Sequence, residues 1–566
     1  MWLGLVMLFV GLFGWRLTQL QLTQASSYEQ QAEANRIWRL VQRAPRGEIR
    51  DRNGVLVAGN VLQYMWEYEE NEQRRELVID DQELAMRAVA TAPAQVRVNY
   101  ERVYPYGSVL AHLIGYVQSA QNSNDVVFGR SGLERLSQER LAGEDGLEVY
   151  ERDAFGQPTR LLSQQAAVKG DDLQLSIDAE LSKVAFEALG EQRGAVIVGN
   201  PKTGKLLAIV SKPSFEPILG SSTTNSTDIN ASPSAQILPN IAAALQADHN
   251  PFLFRPVAAV YPPGSLYKIV TALAGLEYQS FTADTQVRDE GVLRVGEFSY
   301  QNWYWRQYGR VEGDISVVRA LARSNDIFFY KAAEWIGPNK LADFSRLLGL
   351  GKVTGLGFPG EQTGLVPDPI WKQRYFGEPW YLGNTYHMGI GQGDVLVTPL
   401  QLQMVMSTVA TRGQLCQPQI EQGLNPRCQE LSLQADSLNT VKEGLRQACM
   451  DGGTAYPFFP VGYEVICKTG TAEYGAANEQ GFRRTHGWFT AALSHQPRSE
   501  NIPIEEFDPE LVITVLVESD DGALYKEGSR EAAPVALEIA QWWWSRNAAN
   551  GDLAPGEQAS NSAELR

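Results

Sequence analysis

Residues 261–268 have the sequence Tyr-Pro-Pro-Gly-Ser-Leu-Tyr-Lys, and an apolar helical pattern follows them from Ile269 to Leu276. The Pro-Pro-Gly turn places Ser265 in the first turn of this helix, where free backbone N–H groups and the helix dipole favour an anion. Lys268 follows three residues later, so its amine and the serine hydroxyl lie on one helix face and can share a hydrogen bond. The pattern predicts a serine nucleophile that is activated by a lysine.

The predicted pair needs further support, because a chain of this length contains about one Ser-x-x-Lys by chance. Ser265 is the only serine with a lysine three residues later. A lysine is normally protonated, so Lys268 can act as a base only if burial or a neighbouring cation lowers its pKa. We therefore expect a second cation close to the pair.

Two Lys-Thr-Gly triplets compete for the role of that second cation. Lys202-Thr203-Gly204 follows Asn200-Pro201 between two apolar runs, which is typical of a turn. Lys468-Thr469-Gly470-Thr471 instead ends the apolar strand Val465–Cys467. A strand edge there offers backbone groups to an extended peptide, and Gly470 allows close approach. We expect Lys468 to be the second cation.

A third element is Ser324-Asn325-Asp326, which lies between two apolar helical runs. Taken alone it is equally typical of a helix cap or an Asx turn. The order of the three elements along the chain, Ser-x-x-Lys, then Ser-x-Asn/Asp, then Lys-Thr-Gly, resembles the signature of the penicilloyl-serine transferases. That group includes the penicillin-binding proteins and the serine β-lactamases.

The resemblance extends over nearly the whole chain and is to the class B penicillin-binding proteins. Within that class the elongation-type group, penicillin-binding protein 2, is the most similar, since its middle motif often has Asp where this chain has Asp326. The stretches that carry the wider resemblance are Arg46–Gly54, Tyr104–Gly107, Ala111–Tyr116, Gly132–Glu134, Glu378–Thr385, Gly389–Gly393 and Thr398–Gln401.

The resemblance implies a catalytic role for five residues of this chain. Ser265 attacks the carbonyl of the penultimate D-Ala of a peptidoglycan stem peptide, and Lys268 takes the serine's proton. Ser324 relays a proton toward the leaving D-Ala, in a network with Asp326, Lys268 and Lys468.

Further implied roles belong to substrate binding. Thr469 and Thr471, which flank Gly470, hold the terminal carboxylate of the donor, and the N–H groups of Ser265 and Thr471 form the oxyanion hole. No metal or organic cofactor is implied. β-Lactams are expected as covalent inhibitors, and a membrane glycosyltransferase of the shape, elongation, division and sporulation family is the expected protein partner.

Composition and hydropathy place this chemistry in a multidomain protein at a membrane. The 566 residues carry a net charge of −17, which argues against nucleic acid as a partner. Residues 1–22 are predicted to be a transmembrane anchor, with a cleaved signal peptide as the alternative. The catalytic part is then expected outside a bacterial inner membrane. A polar helix is predicted from Gln19 to Gln42.

The predicted fold class is α+β. The resemblance implies an elongated α+β pedestal for residues 23–168 and a transpeptidase domain of helices and an antiparallel sheet for residues 169–546. Residues 219–236 are expected to be a mobile loop and 547–566 a disordered tail. Cys416 and Cys428 either pair across a hairpin or remain buried thiols.

Several other functions remain open at this stage. A division-type class B transpeptidase and a D,D-carboxypeptidase share the motifs. A β-lactamase or β-lactam sensor would need a group for deacylation, and Glu421–Asn425 resembles such a loop, although its place between Cys416 and Cys428 favours coincidence. A non-catalytic scaffold is disfavoured by the intact motifs.

Overall fold

The computed structural model describes residues 2–28, 36–70, 73–79, 82–91, 95–120, 123–153, 155–217, 237–238, 241–247, 249–479, 483–499, 502–520 and 524–549. The architecture is α+β, as predicted. The expected mobile loop at 219–236 lies outside the described residues, and so does most of the expected tail. The last helix runs to Ala549, three residues into that predicted tail.

An exposed apolar helix stands at the N-terminus. Helix α1 (Trp2–Thr18) continues as one π-helical segment, Gln19–Thr23, and none of its side chains is buried. Within the described ranges, Trp2–Thr23 is the one helix that is long and apolar enough to cross a membrane, with a mean hydropathy of 1.5.

The predicted polar helix from Gln19 to Gln42 is wrong in its last part. Residues Ile37–Gln42 form a strand that pairs with Gly146–Arg152. Trp38 and Leu40 alternate along this strand and are buried. A partner far along the chain supplies the face that they bury against, so pairing overrides the local helical pattern.

The N-terminal module contains two main sheets and a small hairpin. One sheet has the order β1-β8-β9 and the other the order β10-β2-β3-β4, with β5 also paired to β3. Asp51 accepts hydrogen bonds from the backbone of Asn53 and Val55, which shapes the predicted turn between β2 and β3. The strands are β1 Ile37–Gln42, β2 Ile49–Arg50, β3 Leu56–Glu70, β4 Gln73–Ile79, β5 Val96–Val103, β6 Val117–Ala120, β7 Ser123–Gly129, β8 Gly146–Arg152, β9 Pro158–Gln165 and β10 Leu173–Gln174, and the helices are α2 Gln82–Thr91, α3 Gly107–Ile114, α4 Gly132–Leu136 and α5 Gln138–Leu141.

The second part of the chain is built on a five-stranded antiparallel sheet. Its order is β12-β11-β23-β22-β21, so β21 lies at an edge. The two apolar runs that flank Lys202-Thr203-Gly204 form adjacent strands of this sheet. Its strands are β11 Gly194–Gly199, β12 Leu206–Lys212, β21 Tyr463–Tyr474, β22 Arg484–Pro497 and β23 Leu511–Val517, and the short paired strands are β13 Ser214–Phe215, β14 Ile237–Leu238, β15 Val287–Asp289, β16 Val292–Val295, β17 Phe298–Gln301, β18 Gly313–Ile315, β19 Gln414–Cys416 and β20 Cys428–Glu430.

Helices cover both faces of this sheet. One face packs on α6 and α18, where Trp544 is buried and stacks on Tyr463, and the other packs on a cluster around α9. The helices are α6 Ala179–Ala188, α7 Ile241–Gln246, α8 Arg255–Ala258, α9 Lys268–Glu277, α10 Trp303–Tyr308, α11 Val317–Ala322, α12 Asp326–Ile336, α13 Pro338–Leu347, α14 Pro369–Phe376, α15 Leu382–Gly389, α16 Pro399–Ala410, α17 Ala435–Ala448 and α18 Ala533–Ala549, with 3-10 turns at Gly264–Tyr267, Tyr456–Phe458 and Ile504–Glu506 and a π-helical segment at Gly528–Ala532.

The two parts share one hydrophobic core. Ile49, Leu113 and Leu141 of the N-terminal module lie in the same buried cluster as Ile197 and Leu400 of the sheet-containing part. The predicted boundary near residue 168 is therefore a packed junction, where burial of apolar surface holds the two parts together.

Both cysteine pairs form disulfides. Cys416 pairs with Cys428 across the β19–β20 hairpin, so the first of the two alternatives for this pair is confirmed. Cys449 pairs with Cys467, a bridge that sequence reasoning did not anticipate. It ties the end of α17 to the strand residue that precedes Lys468.

Candidate active site

Ser265 lies in the 3-10 turn Gly264–Tyr267, directly before helix α9. Gly264 has a φ of +54°, a backbone conformation that glycine adopts without strain. The Ser265 side chain is half-buried, and its hydroxyl makes no hydrogen bond within the described residues. The predicted position at the start of a helix is confirmed.

The loop Gly389–Gly393 holds this turn from one side. Gly264 donates its N–H to the carbonyl of Gly391 at 2.9 Å. A Cβ atom at Gly391 would lie 2.2 Å from the Gly264 carbonyl oxygen and 2.6 Å from the Cβ of Tyr267. The glycine-rich loop is therefore a close-packed support for the serine turn.

The edge strand β21 holds the turn from the other side. A Cβ atom at Gly470 would lie 2.6 Å from Leu266 Cδ1, and one at Gly264 would lie 2.7 Å from the Thr471 carbonyl oxygen. The Trp488 indole donates to the Pro262 carbonyl at 3.0 Å. These contacts bring the two most distant motifs of the sequence side by side.

Lys268 is fully buried and donates into the turn at 324–326. Its Nζ lies 2.7 Å from the Ser324 carbonyl oxygen, 3.4 Å from Ser324 Oγ and 2.6 Å from Asp326 Oδ1. The expected hydrogen bond between Ser265 and Lys268 is absent from the described contacts, because three acceptors of this turn already receive the amine's protons. Burial lowers the pKa of Lys268, and the Asp326 carboxylate opposes that shift.

Lys468 is the second buried lysine of the site. Its Nζ donates to the Thr469 carbonyl at 3.0 Å. Burial lowers the pKa of Lys468 well below its ordinary value, the positive charge of Lys268 lowers it further, and Asp326 opposes both. Lys468 therefore lies where the sequence predicted a second amine, close enough to Lys268 for the charge of Lys268 to lower the pKa of Lys468.

The middle motif is a buried turn that begins helix α12. Ser324 has a φ of +53°, an uncommon and strained conformation for a residue with a side chain. Asn325 caps the helix by accepting from the N–H of Phe328 at 3.0 Å. The helix-cap interpretation is confirmed, and the same cap directs the Ser324 carbonyl and the Asp326 carboxylate at Lys268.

The residues predicted to bind substrate differ in their exposure. Thr469 is buried and its hydroxyl is paired with that of Thr454 at 2.7 Å, whereas Thr471 is exposed. Gly470 is buried between them.

Arg306 of helix α10 reaches over to Glu473, with Nη1 and Oε1 2.8 Å apart.

The competing motifs lie elsewhere. Lys202 stands in the turn between β11 and β12 and pairs with Asp508 at 2.6 Å, as expected of turn residues. Glu421 pairs with Arg140 of the N-terminal module at 3.1 Å. The described contacts thus place Glu421 against that module, which supports coincidence for the β-lactamase-like match.

Sequence reasoning missed the residues that hold Asp326 in place. The Trp303 N–H donates to Asp326 Oδ2 at 2.9 Å, and the Asp326 N–H donates to Asn302 Oδ1 at 3.2 Å. These residues precede the motif by more than twenty positions and form no pattern with it. Among the described residues, no group of three or more His, Cys, Asp or Glu side chains could hold a metal ion.

The arrangement can support acyl transfer to a serine. An amine whose pKa is lowered by burial, as that of Lys268 is, accepts a hydroxyl proton more readily than an exposed lysine does. Strand β21 lies at the edge of its sheet, where an extended peptide can add as a further strand.

Comparisons with known proteins agree with this chemistry. A model of the penicillin binding protein transpeptidase domain matches residues 194–541, and a model of the penicillin-binding protein dimerisation domain matches residues 81–175. The peptidoglycan D,D-transpeptidase MrdA of Acinetobacter baumannii is 29% identical over 609 residues, covering 95% of this chain and 86% of that protein.

Solved structures show the same fold. A structure described as the structural coordination of polymerization and crosslinking by a peptidoglycan synthase complex has a TM-score of 0.73 at 27% identity, covering 98% of both chains. The penicillin-binding protein PBP2 of Helicobacter pylori, solved in complex with MreC, has a TM-score of 0.72 at 24% identity, covering 90% of this chain and 99% of that one.

Proposed function

Since a family model matches well over half of its length, the chain belongs to the penicillin-binding protein transpeptidase family, and we propose on that premise that it cross-links peptidoglycan through Ser265. It is a serine D,D-transpeptidase and a target of β-lactams. The observation that carries this proposal is the convergence of Lys268, Ser324 and Asp326 within hydrogen-bond distance, beside the turn that holds Ser265.

The reaction proceeds in two acyl transfers. Neutral Lys268 takes the Ser265 proton as Oγ attacks the carbonyl of the penultimate D-Ala, and the N–H groups of Ser265 and Thr471 stabilise the oxyanion. The peptide bond then breaks, and the proton passes by way of Ser324 to the amine of the departing D-Ala. The acyl-enzyme next reacts with an amine of a second stem peptide, which releases Ser265 and forms the cross-link.

The second lysine lies beside the first, on the strand that carries the proposed substrate-binding residues. The positive charge of Lys268 lowers the pKa of Lys468, and the strand that carries Lys468 presents Thr471 to the donor carboxylate. Thr469 reaches that carboxylate only if its hydroxyl leaves Thr454, so Thr471 is the main contact.

The role in the cell is wall elongation and shape maintenance, as the name MrdA of its relatives supports. The helix Trp2–Thr23 anchors the chain in the inner membrane with the catalytic part outside, where peptidoglycan is made. Its partner is a membrane glycosyltransferase of the shape, elongation, division and sporulation family. The relative solved as a peptidoglycan synthase complex that couples polymerization and crosslinking supports this pairing.

Covalent labelling tests the proposal. The purified protein is incubated with a fluorescent penicillin, and we expect Ser265→Ala to abolish labelling. Ser280→Ala, just beyond the C-terminal end of the same helix, is the matched control and should label as wild type. Equal labelling of wild type and Ser265→Ala, or no labelling of either, would contradict the assignment.

Product analysis then separates the alternatives. With a donor stem peptide and an acceptor amine, mass spectrometry should detect the cross-linked dimer as the main product. A product that has lost D-Ala without gaining the acceptor would indicate a D,D-carboxypeptidase. Depletion of the protein should give rounded cells, whereas filaments would indicate a division-type enzyme.

A further inference from the structure

Asp289 is a buried carboxylate outside the three motifs, at the end of strand β15. Only 1% of the surface of Asp289 is exposed to solvent. Oδ1 accepts from the Gly291 N–H at 2.7 Å, and Oδ2 accepts from Asn302 Nδ2 at 2.8 Å, Asn325 Nδ2 at 2.8 Å and the Glu312 N–H at 3.1 Å. Every one of these contacts is a donor to Asp289.

Such a contact set requires an ionised carboxylate. Its two oxygens accept only, whereas an amide of the same shape would turn an NH2 group toward donors. A buried donor that loses its acceptor is destabilising, so even an isosteric change disturbs this set of contacts.

Two of the donors lead directly to the catalytic turn. Asn325 is the middle residue of Ser324-Asn325-Asp326, and Asn302 accepts the N–H of Asp326 at 3.2 Å. Trp303, next to Asn302, donates its N–H to Asp326 Oδ2 at 2.9 Å. Asp289 thus holds both segments that orient Asp326, whose other oxygen lies 2.6 Å from Lys268 Nζ.

The other two donors close a chain excursion at residues 290–312. Gly291 stands at its beginning and Glu312 at its end, with Asn302 in the middle, so a single carboxylate gathers all three points. The excursion carries Arg306, which pairs with Glu473 on the edge strand. The anchoring of residues 290–312 to Asp289 therefore also affects the position of Arg306 beside the edge strand β21.

We infer that Asp289 is a positioning residue for acylation, which keeps Asp326 and the Ser324 carbonyl directed at Lys268 by holding Asn325 and Asn302. This inference deepens the proposed function and rests on it. Asp289 itself donates nothing to the reaction, and its effect passes through the orientation of Asp326.

The loss of that orientation has a recognisable signature in the pH profile. The charged groups that face Lys268 are Asp326 and Lys468, and Tyr330 faces Asp326. Asp326 raises the pKa of Lys268 against the effect of burial. If Asp326 turns away, the pKa of Lys268 falls, so the acidic limb of the acylation profile moves to lower pH.

The test compares Asp289→Asn with Asp314→Asn, an exposed carboxylate on the neighbouring strand β18. Acylation rate constants with a fluorescent penicillin are measured across pH, together with the melting temperature. We expect Asp289→Asn to acylate about tenfold more slowly, which corresponds to about 1.4 kcal/mol, with its acidic limb at lower pH. Asp314→Asn should match wild type in both respects.

Each other outcome is decisive. A lower melting temperature with an unchanged rate and limb would show that Asp289 is only structural and would overturn the inference. If Asp289→Asn does not fold, Asn302→Ala, which cuts one link to Asp326, must shift the limb in the same direction, and an unshifted limb overturns the inference. If penicillin does not label the wild-type protein, the proposed function itself is contradicted, independently of any result with the variants.

Discussion

Lys268 and Lys468 are two amines enclosed in a protein interior, and this placement has a price in stability. Lys468 has a carbonyl as its hydrogen-bond acceptor and no carboxylate within hydrogen-bond distance among the described residues. Because burial lowers its pKa in the folded state, the unfolded chain binds the proton more tightly. The contribution of Lys468 to folding stability therefore falls as the pH decreases from the ordinary lysine pKa toward the lowered pKa of the folded state. Below the lowered pKa the contribution stays reduced.

Replacement of Lys468 by methionine should separate stability from activity. Lys468→Met removes a buried amine while keeping an unbranched apolar stem, so we expect the free energy of unfolding at neutral pH to rise by about 1–3 kcal/mol. Acylation by penicillin should fall at least about a hundredfold. Urea denaturation and labelling rates measure the two effects.

The parallel triplet offers a control for that experiment. Lys202→Met changes a partly exposed lysine in a turn and should alter both quantities little. A Lys468→Met protein that is less stable than wild type would contradict the view that this lysine is retained for chemistry at the expense of stability.

Strand β21 contacts the serine turn through backbone atoms as well as side chains, which sets a strict limit on residue size. The contact requires glycine at 264 and 470, since a Cβ at either of them would lie closer than 3.0 Å to a neighbouring atom. The distance between Ser265 and Thr471 therefore depends on how two elements pack, and neither element determines it alone.

The addition of a single methyl group at this contact should push strand β21 and the serine turn apart. In Gly470→Ala the new Cβ would lie 2.6 Å from Leu266 Cδ1 and 3.1 Å from Trp488 Cβ. We expect a destabilisation of about 1–3 kcal/mol from overpacking and a larger proportional loss of acylation, because Ser265 and Thr471 move apart. Gly462→Ala, at a glycine with no atom within 4 Å of the added Cβ, should label and melt as wild type. Equal acylation by the two variants would argue against the contact.

The whole molecule depends on the junction between its two parts, and His112 lies within it. His112 Nε2 is hydrogen-bonded to the Pro251 carbonyl at 2.7 Å, and its ring stacks on Phe254. Burial lowers the pKa of His112 to about 4. In the unfolded chain this histidine protonates near its ordinary pKa of 6.5, so folding stability falls as pH decreases from about 6.5 to about 4.

Removal of this titration should flatten the acid side of the stability curve. Between about pH 6.5 and 4, the unfolding free energy of His112→Gln should depend less steeply on pH than that of wild type, by the slope that corresponds to about one proton. Over the whole interval this difference amounts to up to roughly 3 kcal/mol. His249→Gln, at an exposed histidine, is the control and should keep the wild-type slope. Denaturant titrations at several pH values measure these slopes. If His112→Gln kept the wild-type slope, the lowered pKa assigned to His112 would be contradicted.

Some elements of the molecule could be predicted because their information is local. The helix Lys268–Glu277 and the strand Tyr463–Tyr474 contain the residues where the apolar patterns predicted them, since period and apolar content define such elements over a few positions. The strand Ile37–Gln42 could not be predicted, because the partner that buries Trp38 and Leu40 lies more than a hundred residues away.

The amino-acid sequence by itself determined the family and the proposed site of this protein: the proposed nucleophile, the two lysines and the middle motif are short patterns whose order along the chain carries meaning. Only the tertiary structure decided which acceptors Lys268 meets, that Thr469 is paired with Thr454, and that Asp289 gathers the residues around Asp326. The physical reason is that hydrogen bonds and burial act over a few ångströms between residues far apart in the chain, where no local periodicity records the contact.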